Sequence, residues 1–218
     1  VHVNVIELLR CPAGHAESSL VASATRQIER RIIDGSLGCP VCGAEYSIAG
    51  GVADLRAAPA PVADNEPALQ VVAPNEEATV RLAAQLDLIE PGRLVLLAGE
   101  YAAMAPALSV MFDALCVTLG VPQHAEQHVA EHASVLRVDA IVPLAQASLH
   151  GAAIDAAHCS QFGLSQVSAL LRPRGRLVAP ASTNLPLAVS ELARDEHESV
   201  AARGAGASDV VPLRRAPR

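Results

Sequence analysis

The chain has 218 residues, enough for one medium domain or a small domain followed by a medium one, and 51% of them are apolar, so a sizeable core can be buried. A net charge of −7, with no basic run longer than Arg214-Arg215, argues against a dedicated nucleic-acid surface and leaves room only for a local basic patch. No stretch reaches the ~20 apolar residues of a membrane-spanning helix, and no basic region followed by an apolar run opens the sequence, so a soluble cytoplasmic protein is expected.

Trp is absent and there are two Phe and two Tyr, so Leu, Val, Ile and Ala must fill the core. Five cysteines are present. Three fall in two short turns, while Cys116 and Cys159 stand alone in apolar surroundings, a reduced, intracellular pattern rather than a disulfide framework.

The first predicted unit spans residues 1–56 and carries the two turns, Cys11-Pro12-Ala13-Gly14-His15 and Cys39-Pro40-Val41-Cys42-Gly43. Tetrahedral zinc needs four N or S ligands at one point, and a gap of two or three residues lets each turn aim two side chains at it. Cys11, His15, Cys39 and Cys42 are the expected ligands of a closed, structural site. The other reading is two ordinary turns with unconnected thiols. A redox role for Cys39-x-x-Cys42 is disfavoured, because the motif faces a second ligand turn instead of sitting at a strand-to-helix junction.

The segments Leu8-Leu9-Arg10-Cys11-Pro12, Gly38-Cys39-Pro40-Val41-Cys42-Gly43-Ala44-Glu45-Tyr46 and Ile48-Ala49-Gly50-Gly51-Val52 resemble the small zinc-ribbon proteins that activate tRNA and protein methyltransferases. The resemblance covers residues 5–56 and implies bound zinc. It departs at Gly14, where that family has a cysteine two residues beyond the first Cys-Pro, with His15 next door.

Residues 57–74 contain four prolines among many alanines and read as a semi-extended linker. The predicted second domain covers 75–218. Asn75-Glu76-Glu77 starts a helix running to Pro91-Gly92, with the acids at the positive end of its dipole. Short apolar strands are expected at 93–98, 114–119, 135–138, 152–156 and 175–180, with a helix at 101–111 and an edge strand at 209–213. Strands alternating with helices imply an α/β fold with a doubly wound, mostly parallel sheet.

The order helix, strand, Gly99, helix, strand, together with Asp139-Ala140-Ile141-Val142-Pro143-Leu144 and Leu171-Arg172-Pro173-Arg174-Gly175-Arg176-Leu177-Val178, resembles class I methyltransferases that use S-adenosylmethionine. That resemblance spans roughly 75–213 and implies a Rossmann-like fold. Active members carry an acid and then three alternating glycines after the first strand, a loop that lets backbone approach the cofactor. Here the positions read Leu97, Gly99, Tyr101 and Ala103, and the acid that ends the second strand is replaced by Leu119-Gly120. Tyr101 is expected to place its phenol in the ligand's path.

The resulting reading is a non-catalytic, methyltransferase-like accessory or assembly protein, a pseudoenzyme with a structural zinc site, that docks on a protein partner or self-associates. The alternative is an active methyltransferase acting on a small molecule or RNA, with Gly99, Glu100 and Asp139 contacting S-adenosylmethionine. Three further features carry less. His124, His128 and His132 recur every four residues and read as a solvated helix face rather than a second metal site. His158 and Cys159 are placed at the end of the fourth strand, pointing to opposite faces, which disfavours a nucleophile–base pair. Asp155 is read as a satisfied acid within that strand.

Overall fold

In the computed structural model the described residues are 1–57 and 76–205. A single helical turn, α1 (Val3–Ile6), leads into an antiparallel meander of β1 (Val21–Ile28), β2 (Arg31–Gly38), β3 (Glu45–Ala49) and β4 (Val52–Asp54). The second half runs α2 (Glu76–Gln85), β5 (Leu94–Ala98), a 3-10 turn (Gly99–Met104), α3 (Ala105–Phe112), β6 (Leu115–Leu119), α4 (Gln123–Ala130) and β7 (Ser134–Arg137). It continues with β8 (Leu149–Ile154), α5 (Ala156–Phe162), α6 (Leu164–Leu170), β9 (Leu171–Pro180), β10 (Val189–Arg194) and β11 (Glu198–Arg203).

The eleven strands of the described residues form one sheet, in the order β1-β2-β3-β4-β7-β6-β5-β8-β9-β11-β10. Within it β7-β6-β5-β8-β9 are parallel, and an antiparallel hairpin, β10–β11, is added beyond β9 through β11. Numbered from β5, the five parallel strands lie in the order 3-2-1-4-5, the doubly wound arrangement whose ligand crevice opens at the carboxyl ends of the first strands. The fold is therefore α/β, with a doubly wound, mixed sheet.

The parallel centre of the sheet is buried on both faces, which explains why β5 reads as the unbroken apolar run Leu94-Val95-Leu96-Leu97-Ala98. Successive side chains still alternate. Leu94, Leu96 and Ala98 join a core shared with Phe162, Leu164 and Val167 of the α5–α6 segment, whereas Val95 and Leu97 join Leu82 of α2, Leu86 just beyond it and Leu108 of α3. Consistent with the composition, the interior is mostly Leu, Val, Ile and Ala, with Tyr46, Tyr101 and Phe162 its buried aromatics.

The four-stranded meander joins this sheet directly. β4 pairs in parallel with β7, Val52 opposite Val135 and Asp54 opposite Arg137, and Leu55 N–H continues the ladder to Arg137 O at 2.9 Å. Leu9, Leu37, Tyr46, Ile48 and Leu55 share the core that holds Leu136 and Leu144. Arg31 donates to the carbonyls of Ala130 and Ala133 at the end of α4. Ions reinforce the seam: Arg56 forks onto Asp54 (2.8 and 2.6 Å), Arg137 forks onto Glu126 (2.8 and 2.5 Å), and Arg137 lies 3.7 Å from Asp54.

Two local expectations are corrected. The fourth parallel strand ends at Ile154, and Asp155 N-caps α5, so His158 and Cys159 lie on a helix. The segment after Gly99 is a 3-10 turn before α3, not a helix from Tyr101. Among the described residues the sheet ends in β1 on one side and β10 on the other; the expected strand at 209–213, like most of the linker at 57–74, lies outside the described residues. Among the described residues no helix is long and apolar enough to cross a membrane.

Candidate functional site

Cys11 follows α1, where its N–H is held by Ser18 O (2.9 Å), and His15 lies in the same loop. Cys39 comes directly after β2 and Cys42 sits in the turn before β3, closed by Gly43 N–H to Cys39 O (3.0 Å) and Cys39 N–H to Ala44 O (2.8 Å). These turns bring the four ligand atoms within 4.8 Å of one another. Cys11 Sγ and Cys42 Sγ are 3.8 Å apart, and Cys39 Sγ lies 3.4 Å from His15 Nε2. A tetrahedron with Zn–S near 2.3 Å and Zn–N near 2.0 Å has edges of about 3.8 Å between sulfurs and about 3.6 Å from sulfur to nitrogen. The cluster is thus of the right size for zinc.

The surroundings prepare the ligands. His15 Nδ1 is 2.6 Å from Ala16 O, a hydrogen bond that puts the proton on Nδ1 and leaves the Nε2 lone pair facing Cys39. Burial works to raise the Cys39 thiol, but the N–H groups of Cys42 and Val41 and the neighbouring thiols outweigh it and bring the value down to about 6, towards the thiolate a metal needs. Tyr46 O–H approaches Cys11 Sγ at 3.6 Å. All five cysteines are free.

The second site is the crevice at the carboxyl ends of β5 and β6. Gly99 and Gly120 follow these strands with φ of +66° and +67°, a left-handed conformation that disfavours side chains. The space above them is taken by side chains of α5. Asp155 Oδ2 accepts from Glu100 N–H (3.2 Å), and Asp155 Oδ1 accepts from His158 N–H (2.9 Å) and from the ring at Nδ1 (2.7 Å). A methyl group at Gly99 would overlap the Asp155 carboxylate, and one at Gly120 would overlap the His158 imidazole. Phe162 backs that ring, centroids 5.8 Å apart.

Burial tends to raise the Asp155 carboxyl, but the His158 ring and the two backbone donors hold it below the usual range. Beside the imidazole a cleft of about 270 Å³ remains, bordered by Arg56, Gly120, Arg137, Val138 and Phe162.

Gly99 and Glu100 therefore meet Asp155 and His158. Asp139 is engaged elsewhere, accepting from Ala57 N–H at 2.9 Å and lining a separate cleft with Tyr46 and Ile141. The Tyr101 phenol does not enter the ligand's path. It is buried beneath the sheet end, where its hydroxyl donates to Glu198 Oε1 (2.7 Å) and Gln85 Nε2 donates to Glu198 Oε2 (2.9 Å). His124 and His128 lie on α4 and His132 beyond it, and among the described residues the four-ligand cluster is the single grouping suited to a metal.

No protein-family model matches the sequence, and no curated protein is significantly similar to it. Solved structures of similar shape over part of the chain include several methyltransferases and a [4+2]-cyclase. A putative sarcosine dimethylglycine methyltransferase from Galdieria sulphuraria is 16% identical, with a TM-score of 0.38, over 47% of this chain and 44% of that one. The antibiotic-resistance methyltransferase Kmr is 14% identical, with a TM-score of 0.41, over 59% of this chain and 93% of that one. A methyltransferase from Thiobacillus denitrificans, crystallised with S-adenosylhomocysteine, is 19% identical, with a TM-score of 0.41, over 51% of each chain. The match thus spans less than half the length of the Galdieria protein. The assignment of architecture rests on the strand order rather than on these likenesses.

Proposed function

We propose that this chain is a non-catalytic, methyltransferase-like protein built around a structural zinc ion, and that it acts as an accessory or assembly partner. The observation that carries the reading is the filled crevice: the Glu100 N–H and the space over Gly99 and Gly120 are used by Asp155 and His158. An external ligand would have to displace the packed His158 ring from the Asp155 carboxylate and compete for the Glu100 N–H, while the strand acid that would repay it through ribose hydroxyls is absent at Leu119-Gly120. Zinc held by Cys11, His15, Cys39 and Cys42 would tie the first turns of the chain to β2 and β3, a role that needs no open coordination position.

Partner docking draws support from exposed apolar residues at the lower end of the α2–α3 layer. Ile89 is 81% and Val110 72% exposed, and Gly92 N–H to Asp113 O brings their segments side by side. A cytoplasmic setting fits thiols placed as metal ligands instead of disulfides. The active alternative has one observation in its favour, the cleft beside His158, which at about 270 Å³ is smaller than ordinary cofactor pockets.

The test is isothermal titration of the zinc-loaded chain with S-adenosylmethionine and S-adenosylhomocysteine. The non-catalytic reading expects no binding heat at concentrations where enzymes saturate. A micromolar dissociation constant returns the protein to the active class.

A further inference from the structure

Positive-φ glycines at the ends of the first two strands of a doubly wound sheet ordinarily clear space for a ligand's atoms. In this chain the cleared space faces two of its own side chains. The Asp155 carboxylate sits over Gly99 and takes the first N–H of the following turn, from Glu100. The His158 imidazole sits over Gly120, its Nδ1 bound to the same carboxylate. Both side chains come from the first turn of α5, so a single helix start delivers an anion and a planar ring to the crevice.

Helix capping alone does not account for this arrangement. An N-cap aspartate needs one N–H of its own helix, which Asp155 obtains from His158 at 2.9 Å. The additional bond to Glu100, 55 residues away in sequence, the ring packed against Phe162 and the fit over two glycines belong to the crevice instead.

We propose that Asp155 and His158 are an internal ligand of this crevice: they satisfy its backbone donor and fill its floor, and the His158 ring is the barrier to a nucleoside-type ligand. The inference rests on the non-catalytic reading and names what enforces it. The cleft beside the ring is the space into which the crevice enlarges once the imidazole is removed, with Phe162 and Val138 as apolar walls and Glu100 N–H as the donor within reach of Asp155. Chemically, a ligand able to enter would present a flat heterocycle to Phe162 and a hydrogen-bond acceptor to the turn after Gly99.

The experiment titrates the zinc-loaded 218-residue wild type, His158→Gly and His158→Ala with S-adenosylhomocysteine, with thermal melts to establish folding. The expected result is binding by the folded variants at least about tenfold tighter than by wild type. Folded variants that bind no more tightly than wild type overturn the internal-ligand inference and leave the non-catalytic reading standing. Micromolar binding by wild type overturns that reading, whatever the ratio.

A second measurement is independent of how the variants fold. Histidine-selective NMR of wild type should show one exchange-protected ring proton on Nδ1 of His158. A freely exchanging tautomer mixture at that residue contradicts the inference.

Discussion

Tyr101 and Glu198 are joined by a 2.7 Å hydrogen bond that runs from the turn after β5 to the first residue of β11, with Glu198 also held by Gln85 of α2. Three elements distant in sequence thus meet at one carboxylate beneath the crevice. The buried phenol is correspondingly hard to ionise: desolvation first, then the bond to Glu198, push it upward.

Tyr101→Phe should therefore cost stability, by about 1.5–3 kcal/mol for one hydrogen bond to a charged acceptor, without admitting a cofactor. Denaturant melts and ligand titration check the two parts. Cofactor binding gained in this variant would show that the phenol, and not the α5 pair, blocks the crevice.

Gly120→Ala meets two penalties, the left-handed φ of +67° and the overlap with the His158 ring. Together these should lower stability by about 2–3 kcal/mol. Adding His158→Ala should relieve the overlap but not the backbone strain, so the double variant should be more stable than the sum of the two single effects. Additivity within error would show that residue 120 does not sense the ring.

The seam between β4 and β7 should respond to acid. Arg56, hydrogen-bonded to Asp54, holds that carboxyl below its unfolded value, so its contribution is complete above about pH 4 and is lost as pH falls through the lower, folded value. Asp54→Asn should destabilise the chain by about 1–3 kcal/mol at neutral pH and flatten the fall in stability below pH 4. Chemical denaturation across pH 2 to 7 measures both. A variant with the wild-type acid profile would place the acid-sensitive groups elsewhere.

Purified protein should contain one zinc per chain, and chelation should lower its melting temperature, because binding at a site absent from the unfolded chain adds directly to folding free energy. Cys39→Ser and Cys42→Ser should each remove the metal. His15→Ala should weaken zinc retention, since its Nε2 completes the cluster. Metal analysis of the four proteins settles the ligand set, and unchanged zinc in His15→Ala would leave the position to another group.

Much of the second half was legible because parallel strands buried on both faces write themselves as apolar runs: β5, β6 and β7 fall within a residue or two of the expected spans. The clustering of Cys11, His15, Cys39 and Cys42 was legible because the short spacing within each turn fixes local geometry. Asp155 was misplaced because the apolar run before it masks the start of a helix, although an aspartate ahead of Ala156-Ala157-His158 is an N-cap signal. β10 was missed because its mixed, largely exposed residues carry no clear apolar period, and β11 because its half-buried run mixes Glu198, Ser199 and Arg203 with small apolar residues. The β4–β7 pairing could not be read at all. β4 is three residues long, and its partner lies some 80 residues away, so only tertiary packing selects it.

The Asp155–His158 pair was hidden for a further reason. Gly99 and Gly120 carry the same signature whether they face a ligand or the chain's own side chains, so the glycines reveal crowding without revealing what crowds them.

The most direct test is a crystal structure of the zinc-loaded wild type soaked with S-adenosylhomocysteine at high concentration. The account predicts zinc between Cys11, His15, Cys39 and Cys42, Asp155 on Glu100 N–H, the His158 ring over Gly120, and no nucleoside in the crevice. A nucleoside over Gly99 with the His158 ring swung aside would contradict it.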